Sequence, residues 1–260
     1  MGAGPHARGL SVARVYHAAV TRTLPELLAA IATGAAAALV VVAVAIVPFL
    51  TPAWVGFEQG RTHAAELTGY AGAELSVATN AILHDLVFGP PDFAVEVNGV
   101  PVLEERERSH MRDVRGVFGG FFALSLLAAV ALVVLVAGAR LRGHPARAWR
   151  AIATGMKVLL VGIVVAGVIV TFFFDAAFEI FHRLFFAGGS YTFDPRTDRL
   201  VQLFPFDFWS ETTLVVGGVI VVLASLVWFA ASRLGQASTT ADLATPAAGG
   251  SLAPTRDGAG

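Results

Sequence analysis

Four apolar runs, each long enough to cross a bilayer, constrain this chain more than any other feature of its sequence. They are Leu27–Leu50, Gly116–Ala139, Ala151–Phe174 and Leu214–Ala231. A membrane-spanning helix needs about 20 predominantly apolar residues. The chain is also only 14% charged, whereas a soluble domain carries about 25% charged residues. The sequence therefore predicts an all-α membrane protein with four transmembrane helices.

The residue types that are missing exclude several functions. The chain has no cysteine, which excludes thiol catalysis, thiolate metal sites and disulfides. Its net charge of -1 gives no indication of a nucleic-acid partner. No Asp, Glu or Arg lies in the middle of an apolar run, and ion-coupled transporters keep such groups for their ion pathways. We therefore expect no ion-coupled transport, no nucleic-acid partner and no cofactor.

Basic residues predict how the chain is oriented in the membrane. Residues 1–23 form a basic arm without an acidic residue, and residues 140–150 and Arg233 are basic as well. Cytoplasmic segments carry an excess of Lys and Arg, so both termini are expected in the cytoplasm. Residues 24–235 then form the transmembrane domain, with an extracytoplasmic cap made from 51–115 and 175–213. Residues 236–260 are rich in Ala, Ser, Thr, Pro and Gly, and we expect a disordered cytoplasmic tail.

The cap shows local signals for short helices and one β-hairpin. A capping pattern at Thr23–Glu26 places the start of the first helix there. Helical periodicity extends from His63 to Val87. Phe93–Val102 alternates apolar and polar residues around Asn98-Gly99, a strong hairpin signal. Another helix is expected to begin near Leu103 and to continue into the second apolar run.

One candidate for chemistry lies on the helix that enters the second span. His110 and Asp113 are three residues apart, so they share a helix face. His110 sits about two turns before the apolar run begins at Gly116. The same spacing also fits a solvated juxtamembrane helix whose charges form pairs one turn apart. The residues alone leave both interpretations open.

A second candidate is the stretch Phe172–Trp209, which holds thirteen of the twenty-six aromatic residues. On a helix, one of its faces collects Asp175, Glu179, His182 and Phe186, and the adjacent face collects Phe174, Phe178, Phe181 and Phe185. An interfacial aromatic belt is the alternative interpretation, but belts favour Trp and Tyr. A stretch made almost entirely of Phe indicates the wall of an enclosed apolar pocket.

The remaining polar residues give weaker signals. Asp194, Asp198 and Arg199 are expected to be turn and pairing residues. A zinc site made from His110, His182 and a carboxylate lacks a close ligand pair such as His-x-x-x-His. We therefore expect no metal.

Two motifs resemble a known family. The segments SHMRDVRGVF (Ser109–Phe118) and FHRLFF…YTFDPRTDRLVQLFP (Phe181–Pro205) are similar to the lipoprotein intramolecular transacylase family of bacterial integral membrane proteins. His110 and Asp113 match its first motif, and His182, Phe185 and Phe186 match its second. Asp194, Pro195, Asp198 and Leu200 match a third. Tyr191 stands where the family pattern has Trp, and Val201 where it has Ile.

The resemblance implies an acyltransferase in the bacterial cell membrane. The implied reaction moves the sn-2 acyl chain of a diacylglyceryl lipoprotein to the α-amino group of its N-terminal cysteine, which gives the lyso form. His110 and His182 would be catalytic, with Asp113 orienting or tuning one of them. The implied substrate-binding residues are Phe178, Phe181, Phe185, Phe186, Tyr191, Phe193 and Trp209. The expected partners are the diacylated lipoprotein and membrane lipid, and the expected state is a monomer.

The chemistry suits these residues, because a histidine with a pKa near 6.5 can accept a proton from an amine and a second can donate one. Two other functions remain open. One is a non-enzymatic membrane protein that binds lipid or lipoprotein, and the other is a small channel, which the apolar spans disfavour.

Overall fold

The computed structural model describes the backbone of residues 6–186 and 190–244, and the side chains of residues 24–186 and 190–240. Its long helices are α1 (His6–Ile46), α5 (Glu105–Leu141), α6 (Pro145–Phe185) and α8 (Phe206–Ala244). Its short elements are a 3-10 turn (Val47–Leu50), α2 (Pro52–Arg61), α3 (Ala64–Thr68), α4 (Gly72–Val87), β1 (Glu96–Val97), β2 (Val100–Pro101) and α7 (Arg199–Leu203).

Four helices are long and apolar enough to cross a membrane, as the sequence predicts. They occupy Leu24–Leu50, Glu105–Leu141, Pro145–Phe185 and Phe206–Thr240. Helices α1 and α6 each contact the other three long helices. A helix of 37 residues such as α5 is about 55 Å long at 1.5 Å per residue, and the hydrocarbon layer is about 30 Å thick. Its first turns therefore project beyond the membrane.

Small residues allow α1 and α6 to pack closely. A Cβ atom added to Gly155 on α6 would lie 2.6 Å from the Cα of Gly34 on α1. Around this crossing, apolar side chains fill the bundle core; they are Ala37, Val41, Ile152, Ala153, Met156, Ala224 and Ala231. Helices in a bilayer gain little from the hydrophobic effect between them, so close backbone contact contributes much of their association.

Two helix ends differ from the sequence prediction. Helix α1 begins at His6, with Pro25 inside it, rather than near Thr23. Helix α8 continues to Ala244, although disorder is expected from Gln236. Once a long helix is nucleated, each further residue adds a hydrogen bond at little cost, and Ser238 and Thr239 also bond back to carbonyls one turn earlier. The first five residues, residues 187–189 and the tail beyond Ala244 lie outside the described residues.

The cap, residues 51–115 and 175–213, contains the predicted hairpin. Strands β1 and β2 pair antiparallel, and Asn98 and Gly99 have φ of 54° and 76°. Two successive positive φ values match a type I′ turn, which explains the Asn-Gly dipeptide. The single helix predicted from His63 to Val87 is instead split into α3 and α4, because Gly69 has a φ of 70° and ends α3.

A compact apolar core holds the cap on the ends of α5 and α8. Its most deeply buried side chains are Phe93, Ile82, Leu203, Val102, Ala64 and Ala78. Met111 on α5 and Phe208 on α8 also belong to this core. The residue next to His110 is therefore anchored in the cap, which fixes the rotation of the first turns of α5.

Helix α6 leaves the membrane on the way to His182. A single non-helical residue, Phe173 (φ -136°, ψ 38°), bends it. Beyond the bend the helix continues to Phe185, so the predicted polar and aromatic faces of this segment are those of one helix. Its last turns lie beside the first turns of α5.

Candidate active site

The two predicted histidines meet where α5 and α6 enter the cap. The ring centroids of His110 and His182 are 6.0 Å apart, and the ring planes differ by 19°. Both side chains are buried, with 6% and 8% of their surface exposed. A hydrogen bond reaches about 3 Å, so one small reacting group can contact both rings at once.

His182 is held in one tautomer by its own helix. Its Nδ1 lies 2.8 Å from the carbonyl oxygen of Phe178, one turn earlier on α6. A carbonyl oxygen can only accept, so Nδ1 carries the proton. In the neutral ring, Nε2 then has a free lone pair. His182 is thus built to accept a proton at Nε2.

His110 has a different environment. Its Nδ1 is buried and has no hydrogen-bond partner among the described residues. It lies before the apolar run of α5 begins, outside the membrane-spanning segment. The pKa of His110 is lowered to about 4; burial is the largest cause, the nearby His182 lowers it as well, and Asp113 acts in the opposite direction. His110 is therefore neutral at neutral pH.

Aromatic rings surround the pair. Phe186 contacts both histidines, with its centroid 4.7 Å from His110 and 5.3 Å from His182. Phe193 lies 5.4 Å from His110. Around His182, the neighbouring rings are Phe178 at 4.0 Å, Tyr191 at 5.1 Å and Phe181 at 5.4 Å. These five aromatic rings form an apolar wall around the imidazole rings of His110 and His182.

Three other candidates lie outside this arrangement. Phe185 contacts Phe181 at 4.8 Å and is 52% exposed. Trp209 packs at 5.2 Å on Phe208, a residue of the cap core, and is itself 38% exposed. Asp113 is exposed and makes no hydrogen bond within the described part of the chain, so it affects His110 by its charge rather than by a direct bond.

The structure also shows contacts that the sequence did not predict, made by two residues on the helix faces that carry the histidines. Arg106, one turn before His110, reaches across to Asp198 and to the carbonyl of Thr192. Glu179, one turn before His182, accepts a hydrogen bond from the Tyr191 hydroxyl at 3.2 Å. Their positions, three or four residues from a catalytic candidate, were the only signal available. No group of three or more His, Asp or Glu side chains within the described ranges is placed to hold a metal.

Comparison with known proteins identifies the family. The family model described as "Lipoprotein intramolecular transacylase Lit" matches residues 30–209, a range that includes both histidines and all five rings of the wall. This chain belongs to the lipoprotein intramolecular transacylase family.

Solved structures of a transacylase confirm the fold. The lipoprotein intramolecular transacylase Lit from Bacillus cereus superposes with a TM-score of 0.72, over 84% of this chain and 99% of that chain, at 15% identity. A variant of the same enzyme with a histidine replaced by arginine gives a TM-score of 0.70 over 87% of this chain. The predicted fold class, four membrane helices with a small cap, is therefore confirmed.

One curated relative extends the comparison to sequence. An uncharacterized protein from Aquifex aeolicus is 32% identical over 134 residues, which are 51% of this chain and 57% of that protein. The chain thus matches little more than half the length of that relative.

Proposed function

We propose that this protein is an acyltransferase that acts on diacylated bacterial lipoproteins. It moves the sn-2 acyl chain of the glyceryl group to the α-amino group of the N-terminal cysteine and leaves the lyso-form lipoprotein. The observation that carries the proposal is the pair of buried, ring-enclosed histidines 6.0 Å apart. The membership of the chain in the transacylase family supports the same reaction.

His182 acts as the base. The attacking α-amino group has a reference pKa of about 8 and must lose a proton as it forms the new bond. The Nε2 atom of His182 is free to take that proton, because Nδ1–H donates to Phe178. The imidazolium that forms keeps its hydrogen bond to the carbonyl oxygen, which stabilises the charge.

His110 acts as a neutral hydrogen-bond donor. The ester carbonyl oxygen becomes an oxyanion in the tetrahedral intermediate and needs a donor within about 3 Å. Since burial keeps His110 uncharged, its ring offers one N–H as a neutral imidazole, a role in which neutral histidines are effective electrophiles. The two histidines thus have different roles, with His182 as the general base and His110 as the hydrogen-bond donor to the oxyanion.

The proton then returns to the substrate. A C–N amide bond forms, the C–O ester bond breaks, and His182 delivers the proton taken from nitrogen to the departing glyceryl oxygen. No external energy source is required, because an ester is converted into an amide. Donor and acceptor belong to one molecule, so the aromatic wall contributes mainly by folding the substrate into a reactive geometry.

The proposed location is the bacterial cell membrane, with both termini in the cytoplasm and the cap outside. The end of the bundle away from the cap supports this orientation, because it carries Arg140, Arg147, Arg150 and Arg233, and such an excess marks the cytoplasmic side. We further propose that the protein acts as a monomer surrounded by membrane lipid.

Mass spectrometry of lipoprotein N-termini tests the reaction. A reporter lipoprotein is co-expressed with the wild-type protein, His110→Ala, His182→Ala and His84→Ala. His84 is the matched control, since it is also in the cap and its side chain is 63% exposed. We expect lyso-form lipoprotein with the wild type and the His84 variant, and none with the other two. Full conversion by either His110→Ala or His182→Ala would rule out the proposed roles, and unmodified lipoprotein with the wild type would favour a binding protein.

The absence of cysteine makes the orientation easy to test. Ser76→Cys places a thiol on the exposed surface of the cap, and Thr240→Cys places one at the opposite end of α8. A membrane-impermeant maleimide added to intact cells is expected to label the first variant and not the second. Labelling of only the second would reverse the orientation.

A further inference from the structure

The loop between α6 and α7 carries two rings of the active-site wall. Tyr191 lies 5.1 Å from His182, and Phe193 lies 5.4 Å from His110. Residues 190–198 contain no helix or strand, so no backbone ladder holds these rings in place. Their positions must come from side chains that reach the loop from the neighbouring helices.

Arg106 on α5 makes three contacts with this loop. Its Nη1 donates to the carbonyl of Thr192 at 3.0 Å, and its Nη2 donates to Oδ2 of Asp198 at 2.6 Å. The guanidinium carbon lies 5.0 Å from the centre of the Phe193 ring. Because Arg106 is one helical turn before His110, the two side chains share one face of α5.

Asp198 joins the loop to Arg106. Its carboxylate is 8% exposed. Oδ2 also accepts from the backbone N–H of Asp194 at 2.8 Å, and Oδ1 accepts from the hydroxyl of Thr197 at 3.2 Å. A buried carboxylate is stable only when its partners are in place. Asp198 therefore closes the 194–198 turn and depends on Arg106 for its counter-charge.

Neighbouring contacts fix the two ends of the segment, and Phe193 between them packs against the cap core on one part of its surface and against Arg106 on another. On α5, the buried Glu107 accepts from the backbone N–H of Leu200 at 2.6 Å, which ties the start of α7 to the helix. On α6, Tyr191 donates to Glu179. Neither contact touches the Phe193 ring.

From these contacts we propose that Arg106 and Asp198 are positioning residues that latch residues 192–198 onto α5 and hold the Phe193 ring against His110. The proposal rests on the acyl-transfer function proposed above. The latch keeps His110 buried, neutral and fixed, so its N–H stays aimed at the oxyanion. Neither residue takes part in bond making, and both act through Phe193.

The same loop provides a matched control. Among the described residues, Arg196 pairs only with Asp194, at 2.8 Å, and its side chain is 86% exposed. The Arg196→Lys and Arg106→Lys changes are chemically identical and lie in or against the same loop. Only Arg106→Lys removes a guanidinium group that donates to two acceptors and stacks on an aromatic ring. A lysine ammonium group cannot replace these contacts.

The kinetic experiment uses the full chain in proteoliposomes with a synthetic diacylated lipopeptide as substrate. Misplacing a catalytic group by about 1 Å can cost about a hundredfold in rate, so kcat is expected to fall by about 10- to 100-fold in Arg106→Lys and Asp198→Asn, with a smaller change in KM. Arg196→Lys is expected to stay within about twofold of the wild type, as most surface changes do. The double variant Arg106→Lys/Asp198→Asn should be no slower than the slower single variant, because both changes break one contact.

A pH profile separates positioning from general stability. The titratable groups that face His110 are His182 from α6 and Asp113 on its own helix, and the loop faces it with Phe193. If the ring moves away, water reaches His110 and the neutral form is less favoured. Because the proposed reaction needs both histidines uncharged, with His182 as base and His110 as neutral donor, the acid limb of the rate profile then shifts to higher pH in both latch variants. A variant that only lowers the amount of folded protein would leave the limb in place.

Chemical modification gives a readout that does not depend on activity. Diethyl pyrocarbonate, followed by mass spectrometry, is expected to modify His110 faster in Arg106→Lys and Asp198→Asn than in the wild type or Arg196→Lys. Wild-type kcat, an unshifted acid limb and unchanged His110 modification in both latch variants would overturn the latch. A wild-type protein that converts no lipopeptide overturns the proposed function instead, and the modification rates then decide on the latch alone. If Arg106→Lys does not accumulate, Asp198→Asn carries the same comparison.

Discussion

The Nδ1 atom of His182 donates a hydrogen bond to the carbonyl oxygen of Phe178, 2.8 Å away on the preceding turn of α6. This bond makes the two active-site histidines unequal. His182 has a fixed tautomer with a free Nε2, whereas the Nδ1 of His110 has no partner in the described part of the chain. The sequence motifs treat the two residues alike, and the local geometry distinguishes them.

Glutamine substitutions are expected to reveal this difference. Glutamine offers an N–H donor but cannot take a proton at neutral pH. His110→Gln therefore keeps part of the oxyanion contact and is expected to lower kcat by about 10- to 100-fold, while His182→Gln loses general-base catalysis, worth about 100- to 10,000-fold. Initial rates of lyso-lipopeptide formation measure both. A larger loss in His110→Gln than in His182→Gln would reverse the assignment of roles.

The burial of His110 predicts a loss of stability in acid. Burial lowers its pKa from 6.5 to about 4, so the unfolded chain binds more protons than the folded chain between these two pH values. The free energy of unfolding then falls as the pH drops through this window, by on the order of 3 kcal/mol from this group. Thermal unfolding in detergent, followed by tryptophan fluorescence, should show a weaker pH dependence in His110→Gln. Identical pH dependence in the two proteins would contradict a neutral, buried His110.

Two adjacent phenylalanines are expected to respond differently to truncation. Phe186 is 4% exposed and contacts both histidines, whereas Phe185 is 52% exposed and contacts only Phe181 among the rings. Phe186→Ala should lower kcat by about tenfold or more and destabilise the protein by about 3 kcal/mol, as for other buried Phe→Ala changes. Phe185→Ala should change stability by less than about 1 kcal/mol. Equal effects of the two truncations on rate and melting temperature would contradict the interpretation that Phe186 encloses both histidines.

The contact between α1 and α6 is expected to tolerate no side chain at Gly155. A Cβ there would collide with the backbone of Gly34, and relieving it requires the two helices to separate. Gly155→Ala should therefore cost about 1–3 kcal/mol, as overpacked sites do. Gly162→Ala is the control, because nothing lies within 4 Å of its added Cβ. Melting temperatures compare the two, and a Gly155→Ala protein as stable as the control would disprove the close approach.

Much of the fold follows from local sequence patterns. Apolar runs about as long as a bilayer is thick predict helices that cross it. The Asn98-Gly99 pair predicts the hairpin, because these two residue types accept positive φ. The helix ends at His6 and Ala244 were not predicted from the apolar runs, because both ends lie well outside those runs and helices extend cooperatively once formed.

The active site was predictable only in part. The motif match picked out His110 and His182, and the helix spacing put Phe178, Phe181 and Glu179 on the correct turns of α6. Helix spacing cannot predict that Phe186 is buried and Phe185 is exposed, because this difference depends on where the helix ends and which side of it the cap covers. The partners Arg106 and Asp198 are also far apart in the chain, and no periodic pattern links them.

The sequence by itself determined the class, the four helices, the hairpin and the two histidines, because each depends on the hydrophobicity, turn preference or identity of residues close together in the chain. Only the tertiary structure decided that the rings of His110 and His182 lie 6.0 Å apart and that Phe186 and Phe193 enclose His110. These relations depend on how α5, α6 and the cap pack together. The same packing sets the burial that makes His110 neutral, whereas the tautomer of His182 is set locally by the carbonyl of Phe178, one turn earlier on α6.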